Sequence, residues 1–184
     1  SLGSLPVTAL PLPVNRCVVP GPLLAQCNGA FGDLSAIVFG SVTDGLSNTI
    51  FVAEKSTTIL RELDEMTPSF SDRHGWYITG NWGDTLVTAL YPPNAQKKVA
   101  MVATSAWTNS ASSLHVGGVN VLMGDGSVRF IKDSVDSWQV VPTTGDPVGA
   151  SRNSMGCWVD LPRAGVWQAL STRSGGEAVD SSAF

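Results

Sequence analysis

An α+β fold built mainly from antiparallel strands is what this sequence predicts, and three stretches carry the prediction. VNVLM and VRFI (residues 119–131) flank GDGS, and apolar runs on either side of an Asp-Gly pair are a strong short-range hairpin signal. TIFVAEKS (49–56) alternates as a half-buried strand does. GVWQALSTRSGG (165–176) places Val166, Trp167 and Leu170 at helical spacing. At 184 residues the chain is long enough for a single domain with a real hydrophobic core, so residues 1–184 are read as one unit.

Taken in order, residues 1–30 hold five of the eleven prolines and no periodicity, which predicts an extended segment lying on the surface. Cys17 and Cys27 bracket VVPGPLLAQ, a spacing that a loop-closing disulfide would satisfy. Cys157 is then left over, either a buried thiol or the partner of a cysteine outside this sequence. DGLSN (44–48) reads as a turn or a single helical turn, with Asp44 accepting from freed backbone N–H groups. In the strand that follows, Ile50, Val52 and Glu54 face one way, and Thr49, Phe51 and Ala53 the other. TTILRELDEM (57–66) suits a short helix or a polar connection equally. GWYITGNWGDTLVTALYPPNAQ (75–96) reads as a strand and a long loop, and KKVAMVATSAW (97–107) as a further short strand.

With Asp125-Gly126 at the centre of a type I′ turn, Met123 faces Val128, Leu122 faces Arg129 and Val121 faces Phe130. Val119, Val121, Met123, Val128 and Phe130 then form one apolar face, with Asn120, Leu122, Arg129 and Ile131 on the other. SVDSWQVV (134–141) is expected to begin as a helix capped by Ser134. TTGDPVGASRNSMGC (143–157) is loop, WVDLP (158–162) a short extended piece, and the terminal helix is expected to stop at Gly175-Gly176.

Composition narrows the function classes. A net charge of −4 and a charged fraction of only 14% give no basic stripe for nucleic acid, and Lys97-Lys98 is a lone doublet. No stretch approaches the ~20 apolar residues that span a bilayer. Few lysines, many Ser, Thr and Asn, and a Cys17–Cys27 spacing that suits a disulfide lean towards an exported protein. His115 stands ten residues before Asp125, which raises the question of an acid–base pair. No nucleophile, zinc or phosphate-loop motif accompanies them, and Asp-Gly is favoured in tight turns for backbone reasons alone. No catalytic residue is therefore assigned, and His74 reads as a loop residue. Asp44, Asp84, Asp125, Asp133 and Asp136 are oxygen donors in turn-like settings that a structural calcium could use, but none follows a calcium-loop spacing, so no metal site or cofactor is assigned. Among six tryptophans, Trp138 and Trp167 are expected in the core. Trp76, Trp82 and Trp158 lie in Gly-rich loops, where they could meet a sugar ring or a protein partner.

DGLSNTIFVAEKS (44–56), SSLHVGGVNVLMGDGSVRFIKDSVDSW (112–138) and ALSTRSGGEAV (169–179) together resemble a large family of prepilin-type proteins abundant in planctomycetes and marked by an H-x9-D-G signature. His115, nine intervening residues and Asp125-Gly126 fit that signature. Asp44, Gly45 and Asn48 fit its DG-x-SNTI segment, and Gly175, Gly176 and Glu177 its TR-x-GGE segment, in the same order. The resemblance implies a pilin-like globular domain with variable loops, preceded in family members by a hydrophobic N-terminal helix that this chain does not contain. Membrane contact is implied only through that helix, and a cysteine following it could pair with one seen here. The resemblance also marks residues 139–164 as an insertion and gives the signature residues structural roles. Gly126 supplies a positive φ, Asp125 turn hydrogen bonds, and His115 the anchor of a loop. The expected function is that of a non-enzymatic, exported subunit of an extracellular or cell-envelope assembly (filament, surface layer or secretion-associated), packing against copies of itself or related subunits. The alternatives are a secreted carbohydrate- or surface-binding module using loop tryptophans, and a hydrolase using His115 and Asp125.

Overall fold

The computed structural model describes residues 28–31, 37–66, 84–154, 158–177 and 179. They form an α+β fold around a three-stranded antiparallel sheet with β2 (Gly118–Met123) between β1 (Ile50–Ala53) and β3 (Val128–Lys132). Helix α1 (Thr57–Met66) follows β1, α2 (Thr104–Asn109) precedes β2, and α3 (Val166–Leu170) is the last element before the described C-terminal residues. Two short strands, β4 (Ser151–Arg152) and β5 (Trp158–Val159), pair with each other within residues 139–164. Among the described residues no helix is long and apolar enough to cross a membrane.

The β2–β3 hairpin forms where expected, but its register differs from the type I′ expectation by one residue. Leu122 faces Val128, Val121 faces Arg129 and Asn120 faces Phe130. Met123 N–H donates to Ser127 C=O at 2.8 Å and Gly126 N–H to Met123 C=O at 3.0 Å. Gly124-Asp125-Gly126 is thus a three-residue loop with its last residue left-handed, and Gly126 has φ +88°. One extra loop residue turns the whole of β3 over, because side chains alternate with a period of two. Val119, Val121, Met123 and Ile131 are buried, while Val128 and Phe130 are 68% and 43% exposed.

A bulge at Phe51 corrects β1 in the same way. Ile50 pairs with Met123 and Val52 with Leu122, so Phe51 is the extra residue. Ile50 and Ala53 face the core, and Val52 is 51% exposed.

The buried sheet face packs against Val87, Trp167 and Leu170. A second cluster of Leu63, Leu90, Tyr91, Ala106, Trp107 and Trp158 lies beside it. Trp167 is fully buried and donates its indole N–H to Tyr91 C=O at 2.9 Å, which ties the two clusters together. Helix α1 exists because Ile59, Leu60 and Leu63 recur on one face over Arg61, Glu62 and Glu65. Ser56 Oγ accepts from Ile59 N–H at 3.4 Å at its start.

Three further expectations give way to tertiary contacts. Residues 97–107 contain no strand. Val99, Ala103, Ala106 and Trp107 are buried at helical spacing, and the segment runs from a 3-10 turn at Ala95–Lys97 into α2. Residues 134–141 form no helix. Val135 N–H closes a turn onto Lys132 C=O at 3.0 Å, and Asp136 C=O is taken by Trp167 N–H at 2.9 Å. Helix α3 ends at Leu170, before Gly175 and Gly176, which are engaged elsewhere.

Candidate functional site

The signature residues gather at the two ends of the sheet. At the hairpin-tip end, Asp44 is the organiser. Its carboxylate accepts N–H bonds from Gly175 at 2.6 Å and Gly176 at 2.9 Å, and the Thr172 hydroxyl at 3.3 Å. Its own N–H donates to Arg173 C=O at 3.2 Å. Asn48 Nδ2 donates to Asp44 C=O at 3.3 Å, and the Thr49 hydroxyl to Gly45 C=O at 3.1 Å. The Glu177 carboxylate lies 3.4 Å from the Thr172 hydroxyl, as an alternative acceptor for its single proton. Arg173 carries the network onward, its Nη1 donating to Gly29 C=O at 2.7 Å. The hairpin tip joins the same loop through Gly124 N–H to Thr49 C=O at 2.9 Å and Asp125 N–H to Leu46 C=O at 3.2 Å. Stretches about 130 residues apart in sequence therefore meet at one place.

Asp125 itself is turned into its own turn. Its Oδ1 accepts from Ser127 N–H at 2.9 Å and Ser127 Oγ at 2.7 Å. These bonds hold the exposed carboxyl below its usual range.

His115 lies at the opposite end, with all of β2 between them. Six strand residues span roughly 20 Å, so His115 and Asp125 cannot share a proton. His115 Nε2 instead meets Glu54 Oε1 at 3.2 Å, and its N–H donates to Ser113 Oγ at 2.9 Å. Glu54 also accepts from Asn120 N–H at 2.8 Å and Asn120 Nδ2 at 2.9 Å. Partial burial pushes the Glu54 carboxyl up, but the Asn120 bonds and the His115 imidazole outweigh it and hold it below the ordinary value.

Asn94 is the residue that sequence reasoning missed. It is fully buried and left-handed at φ +52°. Its Nδ2 donates to Asp133 Oδ1 at 2.6 Å and Gly118 C=O at 3.4 Å, and its Oδ1 accepts from Ser113 N–H at 2.8 Å. Lys97 Nζ reaches Asp133 Oδ2 at 2.8 Å. The signal for Asn94 was present, since Asn is among the few non-glycine residues that enter the left-handed region, and here it follows Pro92-Pro93. Beside this end, Lys55 donates from Nζ to Leu86 C=O at 3.0 Å, and burial pushes its ammonium down to about 7 against the opposing pull of Asp84.

Among the described residues no group of three or more His, Cys, Asp or Glu side chains is placed to hold a metal ion. Both Asp44 oxygens face N–H donors, an environment built for an anion. Trp158 corrects its assignment as a partner-facing ring. It is 3% exposed, part of the second core cluster, with the Arg152 guanidinium 4.1 Å above it. Trp138 is half-buried, donates Nε1 to Arg163 C=O at 2.9 Å, and lines an open cleft of about 750 Å³ with Asp136, Arg163, Val166 and Glu177. Cys17, Cys27, Cys157, His74, Trp76 and Trp82 lie outside the described residues.

Residues 18–137 match the family described as "Protein of unknown function (DUF1559)". The chain belongs to this family. The DUF1559 match takes in Asp44, Glu54, Asn94, His115 and Asp125, and ends before residues 139–164 and the Gly175–Glu177 segment that Asp44 binds. No curated protein and no solved structure matches the chain.

Proposed function

We propose that this chain is a non-enzymatic, exported structural subunit that works by packing against copies of itself or related subunits in an extracellular or cell-envelope assembly. One observation carries the reading. Apart from His115, which meets only the Glu54 carboxylate, the polar side chains at the two sheet ends hold main-chain groups, while apolar ones stand outside. Asp44, Glu54, Asn94 and Asp125 each accept from or donate to main-chain groups. On the outer sheet face Val52, Leu122, Val128 and Phe130 are 51%, 37%, 68% and 43% exposed. A contiguous apolar patch of that kind marks an interaction surface. The resemblance of the three signature stretches to prepilin-type proteins, with their H-x9-D-G pattern, supports an assembled and exported subunit.

The test is electron microscopy with light scattering on material from the native source and on the purified chain. Ordered filaments, tubes or layers are expected, and dispersed particles under all conditions would refute the reading.

A second reading, a saccharide- or surface-binding module, is favoured by the Trp138 cleft, where an aromatic ring stands beside Asp136, Arg163 and Glu177. Retention on insoluble polysaccharide that is lost in Trp138→Ala would select it.

A further inference from the structure

The outer edge of β3 has the geometry of a strand that can pair with a copy of itself. Met123 N–H donates to Ser127 C=O and Asp133 N–H to Gly117 C=O. Val121 faces Arg129 and Val119 faces Ile131 between these bonds. In an antiparallel ladder hydrogen-bonded pairs alternate, so residues 127, 129, 131 and 133 bond to β2. The N–H and C=O groups of Val128, Phe130 and Lys132 therefore point away from it. Among the described residues no strand lies on that side, and only Lys132 C=O has a partner there, Val135 N–H at 3.0 Å.

Exposed edges are normally guarded by proline, a bulge or charge. VRFIK has no proline, pairs regularly with β2, and keeps a single charge on its outward-facing row, Lys132. Val128 and Phe130 stand exposed on that row.

This edge is self-complementary. A two-fold axis through Phe130 sets Phe130 opposite the partner's Phe130 and Val128 opposite the partner's Lys132. Phe130 N–H and C=O then face the partner's Phe130 C=O and N–H, and Val128 and Lys132 face each other across the axis, with Lys132 C=O accepting a second N–H besides that of Val135. The same register carries each Lys132 towards the other copy's hairpin tip, where the exposed Asp125 carboxylate sits. We propose that two copies of this chain pair antiparallel through β3, joining their sheets into one of six strands. The choice of a second copy as partner rests on the self-packing reading.

Sedimentation velocity over a concentration series tests the register through position 128, whose exposure keeps substitutions off the fold. Val128→Lys places like charges opposite each other and weakens dimerisation about tenfold, while Val128→Glu strengthens it by a similar factor. Adding Lys132→Glu to Val128→Lys restores the dimer. Val128→Pro removes one outward N–H, leaves the β2–β3 ladder whole, and gives monomers. A chain that stays monomeric at every concentration overturns the proposal, as do equal effects of Lys and Glu. Loss of the dimer only in Val52→Lys, away from this edge on β1, overturns it in favour of stacked sheet faces. Filaments that form from Val128→Lys as readily as from the unchanged chain overturn this register while leaving the packing reading intact.

Discussion

Asp44→Ala removes the acceptor for two glycine N–H groups and a hydroxyl at once, and charge-assisted bonds are the stronger kind. Because both glycines are exposed, the expected loss is about 1–2 kcal/mol, read by denaturant unfolding, with faster amide exchange at Gly175 and Gly176. Asn94→Ala costs more, about 3 kcal/mol, since it strands buried partners and asks a residue with a Cβ to hold φ +52°. Asn94→Gly recovers about 1 kcal/mol of that by relieving the backbone alone, so comparing the two separates conformation from bonding. His115→Ala changes stability by less than about 1 kcal/mol, because its contact with Glu54 is solvent-exposed. A larger loss would mean that the imidazole organises more than the Glu54 carboxylate.

The hairpin is the element on which everything else is registered. Gly126→Ala meets no atom within 4 Å, so its cost is purely the positive φ, about 1–2 kcal/mol. At Gly118 the case differs. An added Cβ would fall on Ile131 C=O and the Phe130 ring, so Gly118→Ala has to push β2 and β3 apart. It is expected to exceed Gly126→Ala in destabilisation, and chemical denaturation of the two side by side decides it. Helix α3 shows the converse dependence. Five residues make too few internal hydrogen bonds to stand alone, and burial of Trp167 and Leu170 fixes the helix in place.

Across the whole molecule, pH acts through a few displaced groups. Lys55 has a folded value of about 7 against 10.5 unfolded. Between those values the unfolded chain binds the extra proton, so stability rises with pH from about 7 towards 10. Burial pushes the Tyr91 phenol up to about 12 from 10.0, and there the folded chain holds the extra proton, so stability falls above about pH 10. Glu54 and Asp125 are shifted downward, and their contribution, present above their unfolded values, is lost as pH falls through the lower folded ones. Thermal melts from pH 3 to 11 should trace this profile, and Lys55→Met should flatten its rise above neutrality. A rise that persists in Lys55→Met would assign it to other groups.

What the sequence determined by itself was local. VNVLM-GDGS-VRFI is a hairpin, TIFVAEKS a strand and Trp167 a core residue because turn chemistry, alternation and apolar spacing act over a few bonds. Tertiary structure decided which face each strand buries, because one inserted residue reverses a strand without changing its composition. It also decided that residues 97–107 coil into α2 and that Trp158 is covered by Arg152. The meeting of Asp44 with Gly175 and Gly176 belongs to the same class. Partners so far apart in the chain are chosen by how the core closes, which no local pattern encodes.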